Sequence, residues 1–576
     1  MKASKFIYTL SAAAALALTS CGSDFLSTPT DSRVELDTTD KLRMLLVSSY
    51  PQNNYAWPCE LMSDNMEDNN APDDDGLRYN LRPSDRGDDE MFAWDVCVSN
   101  TSSDSPSSIW ESHYHAIAGA NAVLQVLEKW EAEGKLDATQ SAIKGEALMI
   151  RSYCHFILAQ VFCHPYRGDA INETLLGIPY IKTPEKTVKP DYERGTLKET
   201  YDNIRADLEA ALELIDNSIY EIPKYHFNRT AADAYAARFY LFTREYDKCL
   251  AHCNSAFGGE SVDPSIYMSG IFQNLGNFYT FSDFGRFQQG SDKARNFMLI
   301  ATYSQAARRI MGGVRYGVIR DALNSTLYGS SPAWSAFRFK MTNGKGKSFT
   351  MHPCMQGALY INGKSEYGLI FAGNISEQFE ITDKIAGIGY AHLTRSEFNG
   401  EEVLLTRAEA KLFLGDTEGA LADLQIWEKA RRDSPYISDS DKERFVDLTV
   451  ENIRKFYVEK DPGFGIAKTI HIDEVCPDSK WTISSNDQIG MLQCIQHFRR
   501  IEMIHTGMRW FDIKRLGLEF DRKIGKDGLD HLAIHDERKA IQIPAEIAAA
   551  GMQQNPRLDP EQTKRVSKNE YERVYE

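Results

Sequence analysis

The chain has 576 residues, more than a single hydrophobic core usually organises, and 42% of them are hydrophobic, including 11% aromatic residues. Two lobes or one large helical body are therefore expected. A mean hydropathy of -0.42 excludes a protein with several membrane spans. The net charge of -17 argues against a nucleic-acid-binding surface, because such a surface needs a concentrated basic face.

The N-terminus has the layout of a bacterial lipoprotein signal. Lys2 and Lys5 precede an apolar run over residues 6–18, and small residues lead directly to Cys21. A membrane-spanning helix is the alternative, but the run has about 13 residues, whereas a bilayer requires roughly 20. We therefore predict a signal peptide over residues 1–20, cleavage before Cys21, and acyl chains on that cysteine as the membrane anchor.

Much of the remaining chain has the periodicity of amphipathic helices. Apolar residues recur at spacings of three and four and predict helices over residues 36–50, 107–127, 142–162, 197–215 and 487–516. Each apolar face requires a partner, so these helices should stack on one another. Residues 51–104 lack this period and are rich in aromatic and acidic residues. A loop of that length inside a compact domain is usually functional.

Two segments have the pattern of tetratricopeptide helix pairs. The first covers residues 230–257, with small and large apolar residues alternating around a tight turn at residues 243–246. The second covers residues 401–431, with Gly415 and Asp416 at its turn. The two copies are far apart in sequence. The pattern therefore indicates a helical scaffold with a large insertion and not a regular tandem repeat.

The insertion, residues 258–399, is rich in Gly, Asn, Ser and aromatic residues. Asn343-Gly344 and Asn362-Gly363 are turn sequences that predict short hairpins. The predicted fold class is mainly α. Its predicted regions are a helical region over residues 21–257, a loop-rich ligand-binding insertion with short strands over 258–399, and a second helical region over 400–576.

Several segments, taken in order, resemble the SusD/RagB family of outer-membrane nutrient-binding lipoproteins of Bacteroidetes. The resemblance extends over nearly the whole chain, and it is specific because independent motifs match in the family's order. The matching segments are residues 18–21 with Phe25-Leu26, 110–121, 144–161, 230–250, 404–416 and 499–517, and the closing Ile543-Pro544 and Asn555-Pro556. Two positions depart from the family pattern, Thr506 before Gly507 and Arg244 in the first hairpin turn, and both concern local packing.

The resemblance implies a location, partners and a task. It implies a SusD-like helical body at the cell surface, anchored to the outer membrane by lipid on Cys21. It implies a SusC-like TonB-dependent transporter as partner, and capture of a nutrient, most often an oligosaccharide or glycan, for delivery to that transporter. Nucleic acid is not an expected partner.

Loop aromatics are the candidates for contact with the ligand. The C–H face of a sugar packs on an aromatic plane, while its hydroxyls bond to short polar or charged side chains. Both irregular regions combine these residue types. The candidate ligand-binding residues are Trp57, Arg78, Tyr79 and Trp94 in the first region and Tyr279 and Trp334 in the second. Packing in a small loop core is the alternative for each ring.

Two clusters have the residue types of metal sites. Cys249, His252 and Cys253 have zinc-ligand spacing on a helix, but both cysteines occupy packing positions of the helix pair. The acidic run over residues 73–75 departs from the calcium-loop pattern at its first and last ligand positions. Asp73 and Asp75 are nevertheless candidate calcium ligands. We therefore predict no cofactor, with calcium left open.

Glu502, Arg509, Asp512 and Arg515 are the strongest cluster of charges. Helical spacing allows them to pair along one face, which favours a structural ion-pair network over a catalytic carboxylate pair. We therefore predict binding without catalysis. Two alternatives stay open: a glycan-active enzyme on the same anchor, which would need a carboxylate pair in a cleft, and a tetratricopeptide-type scaffold that binds a peptide or protein.

Overall fold

A computed structural model gives the arrangement of the chain. It describes residues 35–68, 85–99, 102–185, 192–268, 270, 274, 281–311, 315–318, 320–337, 339–342, 346, 348–351, 359–361, 369–371, 374–460, 470–471, 483–524 and 528–557. By its internal contacts the chain divides into two units, residues 1–42 and 43–576. The predicted boundaries after residues 257 and 399 fall within the larger unit and stay predictions.

Helices dominate the described residues, which confirms the predicted fold class. Their bounds are α1 Thr39–Ser48, α2 Ala56–Met62, α3 Arg86–Phe92, α4 Pro106–Ala132, α5 Ala138–Phe162, α6 Asp169–Asn172, α7 Leu197–Leu214, α8 Arg229–Phe242, α9 Tyr246–Ala256, α10 Phe281–Gln288, α11 Ala306–Met311, α12 Arg320–Asn324, α13 Gly400–Phe413, α14 Thr417–Arg432, α15 Asp439–Lys442, α16 Val450–Arg454, α17 Asn486–Glu502, α18 Met508–Arg515 and α19 Ala545–Ala549.

Capping side chains set the starts of the long helices. Ser105, Asp137 and Thr196 precede α4, α5 and α7, and each accepts a hydrogen bond from the backbone N–H three residues later. α5 packs against both α4 and α7, and nearly every residue of its last five turns is buried. The predicted helices over 107–127, 142–162 and 197–215 are thus confirmed, the first two being longer than predicted.

Both tetratricopeptide-like pairs are present. α8 packs on α9 and α13 on α14. Arg244 lies in the first turn with φ 60°, and Gly415 lies in the second with φ 88°. Glycine adopts a positive φ freely, whereas a residue with a Cβ is strained there. Arg244, one of the two departures from the family pattern, therefore stands where the turn requires left-handed backbone.

The strands form small antiparallel sheets. Their bounds are β1 Glu67–Asp68, β2 Asn296–Tyr303, β3 Tyr316–Gly317, β4 Phe339–Thr342, β5 Ser348–Met351, β6 Leu359–Ile361, β7 Leu369–Phe371, β8 Glu377–Asp383, β9 Ile388–Asn399, β10 Phe520–Ile524 and β11 Gly528–Leu532. The largest described sheet has the order β2-β9-β8. β4 pairs with β5 and β6 with β7, which confirms both predicted hairpins.

Two predictions of secondary structure need correction. The region 51–104 was expected to be irregular, but it contains α2 and α3. The single helix predicted over 487–516 is wrong, because α17 ends at Glu502 and α18 begins at Met508. Between them His505 has φ 65° and Gly507 has φ 79°. A Cβ on Gly507 would lie 2.9 Å from the Cα of Ala56, so glycine allows α2 to approach the connection closely.

Candidate functional site

Three of the predicted ligand-binding aromatics are buried. Trp57, Trp94 and Trp334 are each at most 2% exposed. The indole N–H of Trp57 donates to the Asp88 carboxylate at 2.8 Å, and that of Trp94 donates to the Met62 carbonyl at 2.9 Å. Buried indoles normally have such an acceptor. The expectation that these three rings are exposed on loops is therefore wrong.

Protein side chains also cover the faces of these rings. The Arg522 guanidinium lies 4.2 Å from the centre of the Trp94 ring. Trp334 stacks on Phe498 with ring centroids 5.8 Å apart, and its indole N–H donates to the Gly329 carbonyl at 3.1 Å. A sugar could stack on these rings only by displacing their neighbours. As placed, they contribute to the core and not to a binding surface.

The other predicted site residues fall outside the described residues. They are Cys21, Asp73, Asp75, Arg78, Tyr79 and Tyr279. Their proposed roles in lipidation, calcium binding and ligand contact stay predictions.

A buried cluster of ion pairs joins α18 to α17 and to distant parts of the larger unit. We call it the charged core; its members are Asp64, Glu409, Arg499, Arg509, Asp512 and Arg515. Asp512 pairs with Arg515 at 2.7 Å and with Arg499 at 3.2 Å. Although burial alone would raise the pKa of Asp512, these two arginines hold it below its ordinary value.

The rest of the predicted network has different partners from those expected along one helix face. Arg509 pairs with Asp64 at 2.7 Å, and Glu502 pairs with Arg431. Arg515 also pairs with Glu409 at 2.5 Å. Most of these contacts link segments far apart in sequence. The charges therefore hold the fold together, as the structural interpretation predicted.

Glu60 is a buried carboxylate with a perturbed pKa. It accepts hydrogen bonds from the backbone N–H of His505 at 2.8 Å and of Gly507 at 3.1 Å, and from the Asn65 amide at 2.9 Å. Burial raises its pKa to about 7. A raised pKa in an open cleft would suggest general acid catalysis. Glu60 is 1% exposed and is bonded to the connection between α17 and α18, so its role is structural.

A small polar cavity lies beside the same connection. Its lining includes Gln288, Gln289, Arg395 and His505, and its volume is about 20 Å³. Each of these four side chains has a buried nitrogen or oxygen without a hydrogen-bond partner among the described residues. The volume matches one water molecule, which could bond to these atoms. It is too small for a sugar ring.

One exposed and two partly exposed rings lie instead on the sheet β2-β9-β8. Tyr303 and His392 are opposite each other on β2 and β9, with ring centroids 4.5 Å apart, and Tyr390 packs edge-on against Tyr303 at 5.7 Å. Gln378 and Glu380 on β8 are opposite His392 and Tyr390. Residues in register share one side of a sheet. We call the surface formed by these five residues the tyrosine face.

The tyrosine face combines rings with polar groups. Tyr390 is 57% exposed. The Nε2 atom of His392 lies 2.7 Å from a carboxylate oxygen of Glu380, within ion-pair range but poorly aligned for a hydrogen bond. Phenol, imidazole, amide and carboxylate groups can bond to sugar hydroxyls, and the Tyr390 ring can pack on C–H groups. The surface therefore has the chemistry of a shallow carbohydrate site.

The sequence prediction missed Tyr303 and Tyr390. A signal was present: in residues 388–392 large and small residues alternate, so a strand puts Tyr390 and His392 on one side. Clusters of aromatics near turn residues indicate composition and not exposure.

The cysteine cluster has the predicted packing role. Cys249 and Cys253 are buried in α9, and His252 lies with its Nδ1 atom 2.8 Å from the Asp233 carboxylate. Within the described ranges, no group of three or more His, Cys, Asp or Glu side chains could hold a metal ion.

The fold and the tyrosine face define an α-helical protein built on tetratricopeptide-like pairs, with exposed rings on a small sheet. Comparison with known families agrees with this class. Residues 24–241 match the SusD-like family model described as "Starch-binding associating with outer membrane". Over residues 24–241 the chain is therefore similar to the SusD-like family, in agreement with the resemblance that the sequence motifs indicated.

Solved structures have the same fold over most of the chain. A putative sugar binding protein from Bacteroides vulgatus ATCC 8482 has a TM-score of 0.60 at 18% identity, with coverage of 91% of this chain and 99% of that one. A SusD superfamily protein from Bacteroides thetaiotaomicron VPI-5482 has a TM-score of 0.56 at 17% identity, with coverage of 90% and 100%. These identities support a shared fold only. A comparison with curated proteins found no match.

None of the helices within the described ranges is both long enough and apolar enough to cross a membrane.

Proposed function

We propose that this protein is a cell-surface lipoprotein that binds an oligosaccharide without transforming it and delivers it to a SusC-like TonB-dependent outer-membrane transporter. The observation that carries this proposal is the match of residues 24–241 to a family described as starch-binding and associated with the outer membrane. The sugar-binding description of the Bacteroides vulgatus relative supports the same ligand class.

The tyrosine face is the proposed contact surface for the sugar. Its exposed ring and neighbouring polar groups match the two needs of a sugar, an apolar surface for C–H groups and partners for hydroxyls. Trp57, Trp94 and Trp334 are not proposed as contacts, because they are buried. Arg78, Tyr79 and Tyr279 stay proposed contacts on the basis of sequence, with calcium at Asp73 and Asp75 as an optional part of the site.

The lipid anchor would place sugar binding beside the transporter. Acyl chains on Cys21 would hold the protein in the membrane that contains its transporter. A ligand released beside the transporter then has a high effective concentration at the pore. Binding and release alone are sufficient for this task, so no chemical step on the sugar is required.

A glycan array followed by isothermal titration tests the proposal. The protein should be the soluble form that begins at Gly22. We expect Tyr390→Ala to weaken binding of the best glycan about tenfold, because stacking and apolar contact are lost. Tyr225→Ala is the matched control, because Tyr225 is 40% exposed. Its segment contacts β2 near the start of that strand, where the Lys224 ammonium donates a hydrogen bond to the Lys293 carbonyl.

Three results would contradict parts of the proposal. No binding to any glycan would contradict the proposal that the ligand is an oligosaccharide. Equal affinity for wild type and Tyr390→Ala would remove the tyrosine face as the site. Products formed from labelled glycans would favour the enzyme alternative, in which a carboxylate pair acts on the substrate.

A further inference from the structure

The hairpin of β8 and β9 has an open edge. β8 pairs with β9 and with no other strand among those the structure describes. Within the described ranges, no further strand occupies its outer row of backbone N–H and C=O groups, which can therefore pair with an added strand. β8 has seven residues and contains neither lysine nor proline, the residue types that commonly protect such an edge. Its three acidic residues and the irregular pairing between Ile381 and Asp383 restrict which strand can add.

Apolar side chains project from the side of the hairpin opposite the tyrosine face. Phe379 and Ile381 are 49% and 52% exposed, and their cross-strand neighbours are Ala391 and Gly389. The small neighbours leave these two side chains half exposed, with the Arg308 guanidinium 5.9 Å from the centre of the Phe379 ring. Ile385, in the turn at the tip, is 100% exposed. Adjacent exposed apolar residues of this kind mark interaction surfaces.

The charges of β8 indicate which partner fits. Three of its seven residues are acidic and none is basic. If two copies of β8 paired antiparallel with full overlap, Glu380 would lie opposite Glu380 and Glu377 opposite Asp383. Like charges directly opposite destabilise a strand pair. Glu377 already pairs with Arg308 at 2.6 Å, so the repulsion between two copies comes mainly from Glu380 opposite Glu380. A second copy of this chain is still a poor occupant, whereas a strand with a basic residue opposite Glu380 is complementary.

We propose that β8 is a docking edge for an extended segment of another protein. The segment adds as an antiparallel strand and forms main-chain hydrogen bonds to the outer edge of β8. Its apolar residues lie on the same side as Phe379 and Ile381, and its lysine or arginine residues lie on the side of Glu380. Main-chain bonds supply affinity and the alternating side chains supply specificity. Strand addition does not require a sugar, but it uses Glu380, which also belongs to the tyrosine face.

A designed peptide tests the proposal by fluorescence anisotropy. The probe is a labelled peptide of alternating valine and lysine with seven residues, the length of β8. We expect Phe379→Thr/Ile381→Thr to weaken its binding at least about tenfold, since threonine keeps strand propensity but removes apolar area. Ile222→Thr is the matched control, because Ile222 is 56% exposed on a different segment.

Modified probes separate strand addition from simple charge attraction. A probe with the same side chains but N-methyl groups along one edge should lose binding, because it cannot form the main-chain bonds. A probe with glutamate in place of lysine should also bind poorly.

Three results would overturn the proposal. They are equal binding of the N-methylated probe, no effect of Phe379→Thr/Ile381→Thr on binding, and no binding of the original probe up to about 1 mM. Dimers that disappear with the same double variant would also overturn it, by assigning the edge to a second copy.

Discussion

The charged core and the β8–β9 hairpin contain similar residue types in opposite environments. In the charged core, Asp512 is 2% exposed in its side chain and pairs with arginines that are equally enclosed. In the hairpin, the Glu380 side chain is 64% exposed beside His392. Buried charges must keep their partners, because water cannot replace them. The Glu380–His392 pair at the surface contributes little to stability, and the exposed Glu380 carboxylate can contact a ligand.

Removal of one charge from the charged core should have the largest effect. Asp512→Ala leaves Arg499 and Arg515 without the carboxylate between them, and we expect a loss of about 3–5 kcal/mol in the free energy of unfolding. Urea denaturation followed by circular dichroism would measure it. A loss below about 1 kcal/mol would mean that the buried ion pairs of the charged core contribute no more to stability than exposed pairs do.

A buried histidine, His505, and a partly exposed one, His531, should respond oppositely to pH. Burial lowers the pKa of His505 to about 3, below the value near 6.5 of an unfolded chain. The unfolded state therefore takes up a proton first, and stability falls as pH decreases from about 6.5. Between pH 7 and pH 5 this one group should cost roughly 2 kcal/mol. His505→Asn should remove that part of the slope, since asparagine does not titrate and tolerates positive φ.

His531 is the control for this pH measurement. A hydrogen bond with Asp521 raises the pKa of His531. Its contribution to stability is therefore present at low pH and is lost as pH rises through the folded value, the reverse of His505. His531→Asn should make the loss of stability at low pH steeper. If both asparagine variants change the slope in the same direction, the assignment of the two histidines is wrong.

The hydrogen bond of Trp94 should have an intermediate effect. Trp94→Phe keeps an aromatic ring under Arg522 but removes the N–H that donates to the Met62 carbonyl. We expect a loss of about 1 kcal/mol in the free energy of unfolding, measured by urea denaturation. Glycan affinity of the folded variant should be unchanged, because the ring is buried. A selective loss of affinity with full stability would restore Trp94 to the binding site.

Sequence reasoning succeeded where local pattern determines structure. The helix periods of α4, α5 and α7 and the turns of both tetratricopeptide-like pairs are local, so their elements could be predicted. The break after Glu502 could not, because it depends on Gly507 meeting Ala56 from a distant segment. Periodicity shows which residues of a segment are apolar. It does not show which distant segment packs against that segment.

The candidate site was predicted less well than the fold, for a related reason. Trp94 and Tyr390 are both aromatic residues in segments without helical period, and the sequence assigns each the same capacity to stack on a sugar. Trp94 is enclosed because Arg522, more than four hundred residues later, covers its ring. Tyr390 is 57% exposed, with the edge-on contact to Tyr303 as its described ring contact. Exposure of a ring is a property of tertiary contacts.

The surface ion pair of the hairpin should have the smallest effect. Glu380→Gln keeps the size of the side chain but removes its charge beside His392, and we expect a change below about 0.5 kcal/mol in the free energy of unfolding. Added salt should make even this difference smaller, because exposed charges are screened. Urea denaturation at low and high salt measures both effects. Glycan affinity should fall more than stability does, since the carboxylate is a proposed partner of sugar hydroxyls. If stability instead falls as far as in Asp512→Ala, the hairpin is a structural part of the core, and the contrast between an enclosed network and an open binding surface does not hold.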